Sequence, residues 1–342
     1  LLLCVSFEKE IILMKKTKAL ALLSGGLDST LAVKLVLDQG LIVEAINFVT
    51  PFCLCRKGGC DASEAAQTFN IPLKVLSAGK EYLNIIRNPK FGYGRNMNPC
   101  IDCRIFMLKK AKKYAKDNGA AFIFTGEVLG QRPMSQHRKA LDIIEKEAGL
   151  QGKILRPLSG KLLPATEAEK EGLVDRDKLM EVKGRSRRKQ IEMIKKTNLL
   201  DYPCPSGGCL LTYKEFANKL RDLFEHKKRV SLKDVSLLKV GRHFRFGKNK
   251  IVVGRNKAEN EVLLKIKPKN DYYLEVPNCG SPITILQGPK TRKAIEQAAC
   301  LTAFYSDRKG KEVLVKFGQD NLHKSMIISP PSSAQVKMAR IV

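Results

Sequence analysis

The chain predicts an α/β fold, a parallel sheet with helices on both faces, followed by a smaller α+β domain. Three observations carry this. The apolar run Ala19-Leu20-Ala21-Leu22-Leu23 leads into Ser24-Gly25-Gly26-Leu27-Asp28-Ser29 and then into a helix-spaced segment, Thr30 to Leu37. Strand-like and helix-like runs then alternate from 18 to 160. From 231 onward the pattern changes to short β segments interrupted by one helix.

In order, apolar and β-branched runs predict strands at 19–23, 41–48, 73–76 and 121–125. Helical spacing predicts helices at 28–38, 61–69 and 103–117. Such alternation builds a parallel sheet, whose ligands sit beyond the carboxyl ends of the strands. Ser24, Phe52 and Gly126 each follow a strand, so the motifs beside them can converge on one site. The stretch 161–230 reads as helical and basic, with a helix opened by Lys183-Gly184-Arg185-Ser186-Arg187-Arg188-Lys189-Gln190 and running to Lys196. Beyond it, β segments are expected at 236–246, 250–255, 262–266, 272–276, 282–286 and 312–317, a helix at 290–304, and an irregular tail around Pro330-Pro331. The chain thus reads as a non-native or disordered extension (1–13) before Met14, an α/β domain (14–165), a basic helical extension (166–230) and an α+β domain (231–342).

Among the 342 residues, 62 Lys and Arg stand against 34 Asp and Glu, a net charge of +28 that favours a polyanionic partner, nucleic acid first. Arg185, Arg187, Arg188 and Lys189 are the densest cations and read either as phosphate contacts or as a solvated face. No apolar run reaches the roughly 18 residues that span a bilayer. Leu1 to Ser6 is apolar but has no basic leading region and no small-residue cleavage site, so a signal peptide is not expected. A cytoplasmic protein without a membrane partner is the expectation. Ten cysteines in such a chain argue for metal binding or catalysis over a disulfide framework.

The Ser24–Ser29 turn is built as an anion cradle. Its glycines let backbone N–H groups approach phosphate, and the helix N-terminus adds a favourable partial charge. It is not a Walker loop, because the Gly-Lys-Ser/Thr ending is missing. Cys100-Ile101-Asp102-Cys103 is a C-x-x-C at a helix start, where two thiolates can reach one metal or form a redox pair. Pro99 and the helix dipole both suit a lowered thiol pKa. Cys204-Pro205-Ser206-Gly207-Gly208-Cys209 is a tight turn. Three thiolates from these two groups can hold an iron–sulfur cluster with one iron open. A persulfide-forming pair, a structural zinc and plain thiols are the alternatives. Cys53, Cys55 and Cys60 read as a second metal site, as a contribution to the same site, or as buried inert thiols, while Cys4, Cys279 and Cys300 stand alone.

These motifs together resemble a known family. The loop is similar to the PP-loop of the ATP pyrophosphatase superfamily, which has an adenine nucleotide alpha hydrolase-like fold, binds ATP by its pyrophosphate and adenylylates a carbonyl oxygen. Thr125-Gly126-Glu127-Val128-Leu129-Gly130-Gln131 with Ser135-Gln136 resembles the Gly-Glu/Asp-x-Leu-Gly-Gln…Ser-Gln segment of 4-thiouridine synthases, and Arg156-Pro157-Leu158 the Arg-Pro-Leu after it. Archaeal members of that thiolation group hold an iron–sulfur cluster with a C-x-x-C and one later cysteine. Cys100, Cys103 and Cys209 match that order, with Cys204 the rival for third place. The resemblance covers about 20–210. A THUMP-type RNA-binding domain and the 2-thiouridylase pairing of catalytic cysteines are not evident. The C-terminal third instead is similar to the NFACT-R RNA-binding domain, through Ile251-Val252-Val253-Gly254-Arg255-Asn256 with Glu259-Asn260, Cys279-Gly280-Ser281-Pro282, Ala298-Ala299-Cys300 and Ala303-Phe304-Tyr305-Ser306.

The resemblance implies an ATP-dependent tRNA sulfurtransferase that replaces a uracil carbonyl oxygen with sulfur. ATP would lie on Ser24, Gly25, Gly26, Leu27, Asp28 and Ser29, with Gly126, Gln131, Ser135 and Gln136 completing its site. Asp28 would hold Mg²⁺ or orient the attacking carbonyl. Cys100, Cys103 and Cys209 would carry a [4Fe-4S] cluster. Partners would be tRNA and a sulfur donor, either sulfide or a persulfide carrier, and a homodimer is compatible with this. The alternatives are a PP-loop ligase acting on another carbonyl, as in lysidine or deazaguanine-nitrile formation, and a non-catalytic RNA-binding factor. Neither the modified tRNA position nor the choice of 2-thio or 4-thio carries over.

Overall fold

A computed structural model describes residues 17–54, 61–196, 208–308 and 310–342. The chain divides into two units, Leu1–Leu210 and Leu211–Val342. This division runs through the basic stretch 166–230 that the sequence sets apart.

In the first unit the order is β1 (Lys18–Leu22), α1 (Leu27–Leu37), β2 (Ile42–Val49), α2 (Asp61–Thr68), β3 (Leu73–Ser77), α3 (Lys80–Arg87), α4 (Cys100–Asp117), β4 (Phe122–Thr125), α5 (Arg138–Ala148), β5 (Ile154–Leu155), the single turn α6 (Glu167–Lys170) and α7 (Arg188–Lys196). The five strands form a parallel sheet in the order β3-β2-β1-β4-β5. The period-2 alternation along β1 explains how both faces are covered. Ala19 and Ala21 pack with Val43, Ala45, Phe122 and Phe124 against Ala32, Val33 and Val36 of α1 and Ala65 of α2. Leu20 and Leu22 face the other way, with Ile46 and Ile123, onto Ile105, Leu108 and Ala111 of α4 and Ile144 of α5.

Strand order turns back at β1, which pairs with β2 on one side and β4 on the other. Leu22 stands level with Ile46 and with Thr125. The residues just after β1 and β4, Ser24 and Gly126, therefore open onto the same crevice, the usual ligand position in such sheets.

The second unit holds α8 (Lys214–His226), α9 (Leu232–Leu238), β6 (Arg242–Phe246), β7 (Asn249–Val253), α10 (Lys257–Ile266), β8 (Tyr272–Glu275), β9 (Thr284–Gln287), α11 (Arg292–Phe304), β10 (Val313–Gly318), β11 (Lys324–Ile328) and α12 (Ser333–Ala339). Its sheet is antiparallel, in the order β11-β10-β8-β9-β7-β6. Ala294, Ala298 and Leu301 of α11 pack on one face with Phe244, Ile251, Leu286 and Val315. Leu237 of α9 and Leu263 of α10 pack on the other with Val252 and Ile285.

In the first unit the helix expected to open at Lys183 starts only at Arg188. Three expectations fail in the second unit, all through caps. The β segment expected at 236–246 is split, because a Ser231–Asp234 capping box starts α9. The β segment expected at 262–266 is the end of α10, whose N-cap Asn256 accepts from the Glu259 N–H. The tail expected to be irregular forms α12, started by a Ser332–Gln335 capping box. Among the described residues no helix is long and apolar enough to cross a membrane.

Leu20 is 1% exposed at the centre of the parallel sheet. Leu20→Ala should cost about 2–5 kcal/mol, read as a lower urea midpoint for the first unit. An unchanged midpoint would contradict this core.

Candidate functional site

The turn after β1 is held by its own hydroxyls. Ser29 Oγ accepts from the Ser24 N–H at 3.2 Å, lies 3.0 Å from Ser24 Oγ and donates to the Gly26 carbonyl at 2.9 Å. Gly25 has φ +76°, a conformation that favours glycine. Gly26 starts α1 without a side-chain cap, so the first N–H groups of that helix are not taken by a neighbouring side chain. Leu27 packs inward with Leu31, Val128 and Leu158.

Gly126 seals the crevice from the β4 side. A Cβ there would stand 2.5 Å from the backbone of Asp28 and Ser29. This close approach carries the segment after β4 over the turn. Gln131 Nε2 donates to Asp28 Oδ2 at 2.6 Å, and Gln190 of α7 donates to Asp28 Oδ1 at 3.3 Å. Arg187 Nη2 lies 3.6 Å from Asp28 Oδ2. Asp28 is thus the meeting point of three segments remote in sequence.

A cavity of about 70 Å³ opens over this turn. Ser24, Asp28, Ser29, Gly126 and Gln136 line it together with Arg104, Arg132 and Arg187. Burial lowers the Arg132 pKa, and the Arg104 and Arg187 charges lower it further. Three guanidiniums held close in this way suit an anion, whose charge would relieve their repulsion. Gln136 is buried at this end of the site, while Ser135, also buried, lines the neighbouring cavity.

Glu127 anchors the arginines. It is 2% exposed, and its two oxygens face Arg104 Nε at 3.4 Å and Arg156 Nε at 3.1 Å. Arg156 is buried and also donates to Glu145 at 2.5 Å. Burial alone would raise the Glu127 pKa, but the Arg104 and Arg156 charges outweigh it and hold the carboxyl below its ordinary value. Glu127 lines the cradle cavity at its base, and Arg156 supports it from beneath.

Beside the cradle lies a second cavity of about 220 Å³. Cys53, Cys100, Cys103 and Cys209 all line it, with Phe52, Tyr82 and Met107. The two cavities share Leu22, Ser24, Arg104 and Arg132 as walls. Tyr82 donates its hydroxyl to Cys103 Sγ at 3.0 Å. Burial raises the pKa of both Cys100 and Cys103, although Arg104 pulls in the other direction. The lowered thiol pKa expected from the helix dipole is therefore corrected, because desolvation outweighs it. Among the described residues no three His, Cys, Asp or Glu side chains gather closely enough to hold a metal ion. Soft thiol donors lining one cavity are a donor set that suits an iron–sulfur cluster or zinc.

Of the other sequence candidates, Arg187 turns to Asp28, while Arg185, Arg188 and Lys189 are exposed. Cys55, Cys60 and Cys204 lie outside the described residues. Sequence reasoning missed Arg104, Arg132 and Gln190 as site residues, and it left open that Cys53 shares the cavity of Cys100 and Cys103. Arg104 alone carried a signal, one position after the C-x-x-C.

Residues 14–162 match the family model of the thiamine biosynthesis protein (ThiI), and residues 241–338 match that of the NFACT protein RNA binding domain. The first unit thus carries a domain of ThiI type and the second one of NFACT RNA-binding type, as the motif resemblance implied. The chain is 30% identical over 154 residues to the probable tRNA sulfurtransferase of Methanothermobacter thermautotrophicus, covering 42% of this chain and 36% of that one. It is 34% identical over 96 residues to the tRNA-specific 2-thiouridylase MnmA of Tropheryma whipplei, covering 25% and 27%. The chain thus spans well under half the length of these curated relatives. A 4-thiouridine synthetase–RNA complex with bound ATP aligns at a TM-score of 0.34 and 22% identity, over 65% of this chain and 52% of that one. At such a score the likeness carries no functional argument.

Gly126→Ala should be destabilising by about 1–3 kcal/mol through overpacking, with a matching loss of nucleotide affinity in a titration, since backbone is the obstacle. Glu127→Gln should cost about 3 kcal/mol by leaving buried arginine charge uncompensated. A carboxyl held below its ordinary pKa stabilises above its unfolded value, about 4.3, and that contribution is lost as pH falls through the folded value. The variant's urea midpoint should therefore fall less than the wild type's on acidification. Equal acid sensitivity would contradict this role.

Proposed function

We propose that this chain is an ATP-dependent tRNA sulfurtransferase that adenylylates a uracil carbonyl oxygen and replaces it with sulfur. One observation carries the reading: a phosphate-sized cradle and a four-thiol cavity share the walls Leu22, Ser24, Arg104 and Arg132. Activation of a carbonyl and delivery of sulfur to the same carbon need that adjacency. The ThiI-type and RNA-binding-type domains support it.

ATP places its pyrophosphate on the backbone of Ser24, Gly25 and Gly26 and on Ser29. The uracil oxygen attacks the α-phosphorus and pyrophosphate departs. Negative charge grows on oxygens that face N–H donors and Arg104, Arg132 and Arg187 already in place, the condition under which electrostatic stabilisation is strongest. Asp28, its oxygens oriented by Gln131 and Gln190, would hold a Mg²⁺, which would supply charge neutralisation to the phosphates. A sulfur nucleophile then attacks the activated carbon and AMP leaves. Cys100, Cys103 and Cys209 would hold a [4Fe-4S] cluster, which would supply sulfide taken from a donor. Cys204 is the rival for the third thiol. Exposed Arg185, Arg188 and Lys189 contact tRNA phosphates, and the second unit adds RNA affinity. The cytoplasm, which keeps thiols reduced, is the compartment.

The test uses the full chain purified without oxygen, with ATP, tRNA and sulfide, and follows pyrophosphate release and thiouridine by nucleoside mass spectrometry. Asp28→Ala should abolish both signals. Cys209→Ala should lose thiouridine and bound iron while keeping pyrophosphate release. Undiminished release by Asp28→Ala would overturn the ATP assignment, and stoichiometric zinc without iron would overturn the cluster. Charge reversal of Arg185, Arg188 and Lys189 should weaken tRNA binding. It should also flatten the salt dependence by roughly 0.7–0.9 in log–log slope for each phosphate the variant no longer neutralises.

A further inference from the structure

Cys53 and Cys209 are opposed in an isolated antiparallel bridge. The Leu210 N–H donates to the Phe52 carbonyl at 2.9 Å. That bond flanks the pair rather than joining it, so Cys53 and Cys209 occupy the non-hydrogen-bonded position, where side chains are closest. Such pairs stand about 4.5 Å apart at Cα, within the roughly 4.4–6.8 Å that a disulfide spans. Leu54 lies against Gly208 across the pair, and Thr50 orients the Cys53 thiol from within its own segment. A Cβ on Gly208 would come within 2.4 Å of Leu54 Cδ1, so the segments touch with no room between them. The Thr50 N–H donates to Cys53 Sγ at 3.3 Å, and Thr50 Oγ1 is also 3.3 Å from it. Both cysteines are thiols, both are half-buried, and both line the 220 Å³ cavity, which a small molecule can enter.

We propose that Cys53 and Cys209 form a redox couple, a cross-strand dithiol that a low-molecular-weight disulfide oxidises to a Cys53–Cys209 bond. The thiolate of Cys53 attacks one sulfur of R–S–S–R and expels RS⁻. The thiolate of Cys209 then attacks Cys53 Sγ in the mixed disulfide and expels the second RS⁻. The two protons lost by the cysteines pass to the departing thiolates, so the oxidant is reduced to two thiols. The bond takes Cys209 out of the thiol set formed with Cys100 and Cys103. The proposal needs neither ATP, RNA nor iron and does not depend on the sulfurtransferase reading.

The full chain is reduced, transferred without oxygen into oxidised glutathione, blocked with maleimide and digested without reduction. A cross-linked peptide joining Cys53 to Cys209 is expected, with Cys100 and Cys103 still labelled by maleimide. Cys53→Ser and Cys209→Ser should each lose that peptide. Should either variant fail to fold, the wild-type peptide map decides alone. A dominant Cys100–Cys103 or Cys204–Cys209 peptide, or maleimide on both Cys53 and Cys209, would overturn the proposal. In a second arm, iron uptake is measured after oxidation. Wild type should lose it severalfold relative to its reduced form, while Cys53→Ser is unchanged. Equal uptake by oxidised and reduced wild type would overturn the withdrawal of Cys209. No uptake even by the reduced chain would count against the cluster instead, and the peptide map would still decide the disulfide.

Discussion

Gly126 leaves no space between the end of β4 and the start of α1, because any side chain there would collide with the backbone of Asp28 and Ser29. That contact sets the width of the crevice where strand order turns back. It also fixes what comes next in the chain. Glu127 follows directly and is drawn under the cradle, and the turn beyond it returns Gln131 to Asp28 and Arg132 to the cavity wall. A parallel sheet supplies the crevice for topological reasons, but the missing Cβ lets two loops from neighbouring strands act as one surface.

Holding several arginines at such a crevice has an electrostatic cost, and the protein offsets it from below. Glu127 takes Arg104 on one oxygen and Arg156 on the other, and Arg156 reaches on to Glu145. Buried charges of this kind add little stability by themselves, but removing one partner is costly. The network therefore acts mainly to specify position. Arg104 is held at the cavity by a buried carboxylate at the cavity's base.

The Ser24–Ser29 turn was legible because its chemistry is contiguous: hydroxyls, glycines and a carboxylate sit within one strand–turn–helix unit. Four of the five strands of the central sheet were legible for a similar reason, as apolar runs bounded by turn residues, while the two-residue β5 was too short to read. Arg104, Arg132 and Gln190 were not, since each comes from a separate element and only the folded crevice brings them to one place. The adjacency of Cys53 and Cys209 was hidden in the same way, as it depends on a strand bridge between distant segments. In the second unit, α9 and α10 carry β-branched and apolar residues that read as strands. Their capping residues, Ser231 with Asp234 and Asn256 ahead of Glu259, decided the local structure. Caps satisfy N–H groups that a helix would otherwise leave unpaired, and a short periodic pattern does not outweigh them.

Arg104 joins the two halves of the site. It lies four residues after Cys100 on α4, and that spacing puts both side chains on one helix face. From there its guanidinium walls both cavities. On the thiol side its charge opposes the burial that makes Cys100 and Cys103 reluctant to ionise. On the cradle side the same charge faces whatever anion rests on the Ser24–Ser29 turn. One charge cannot serve both sides at full strength. The two cavities are therefore coupled through a single side chain, fixed in place by Glu127.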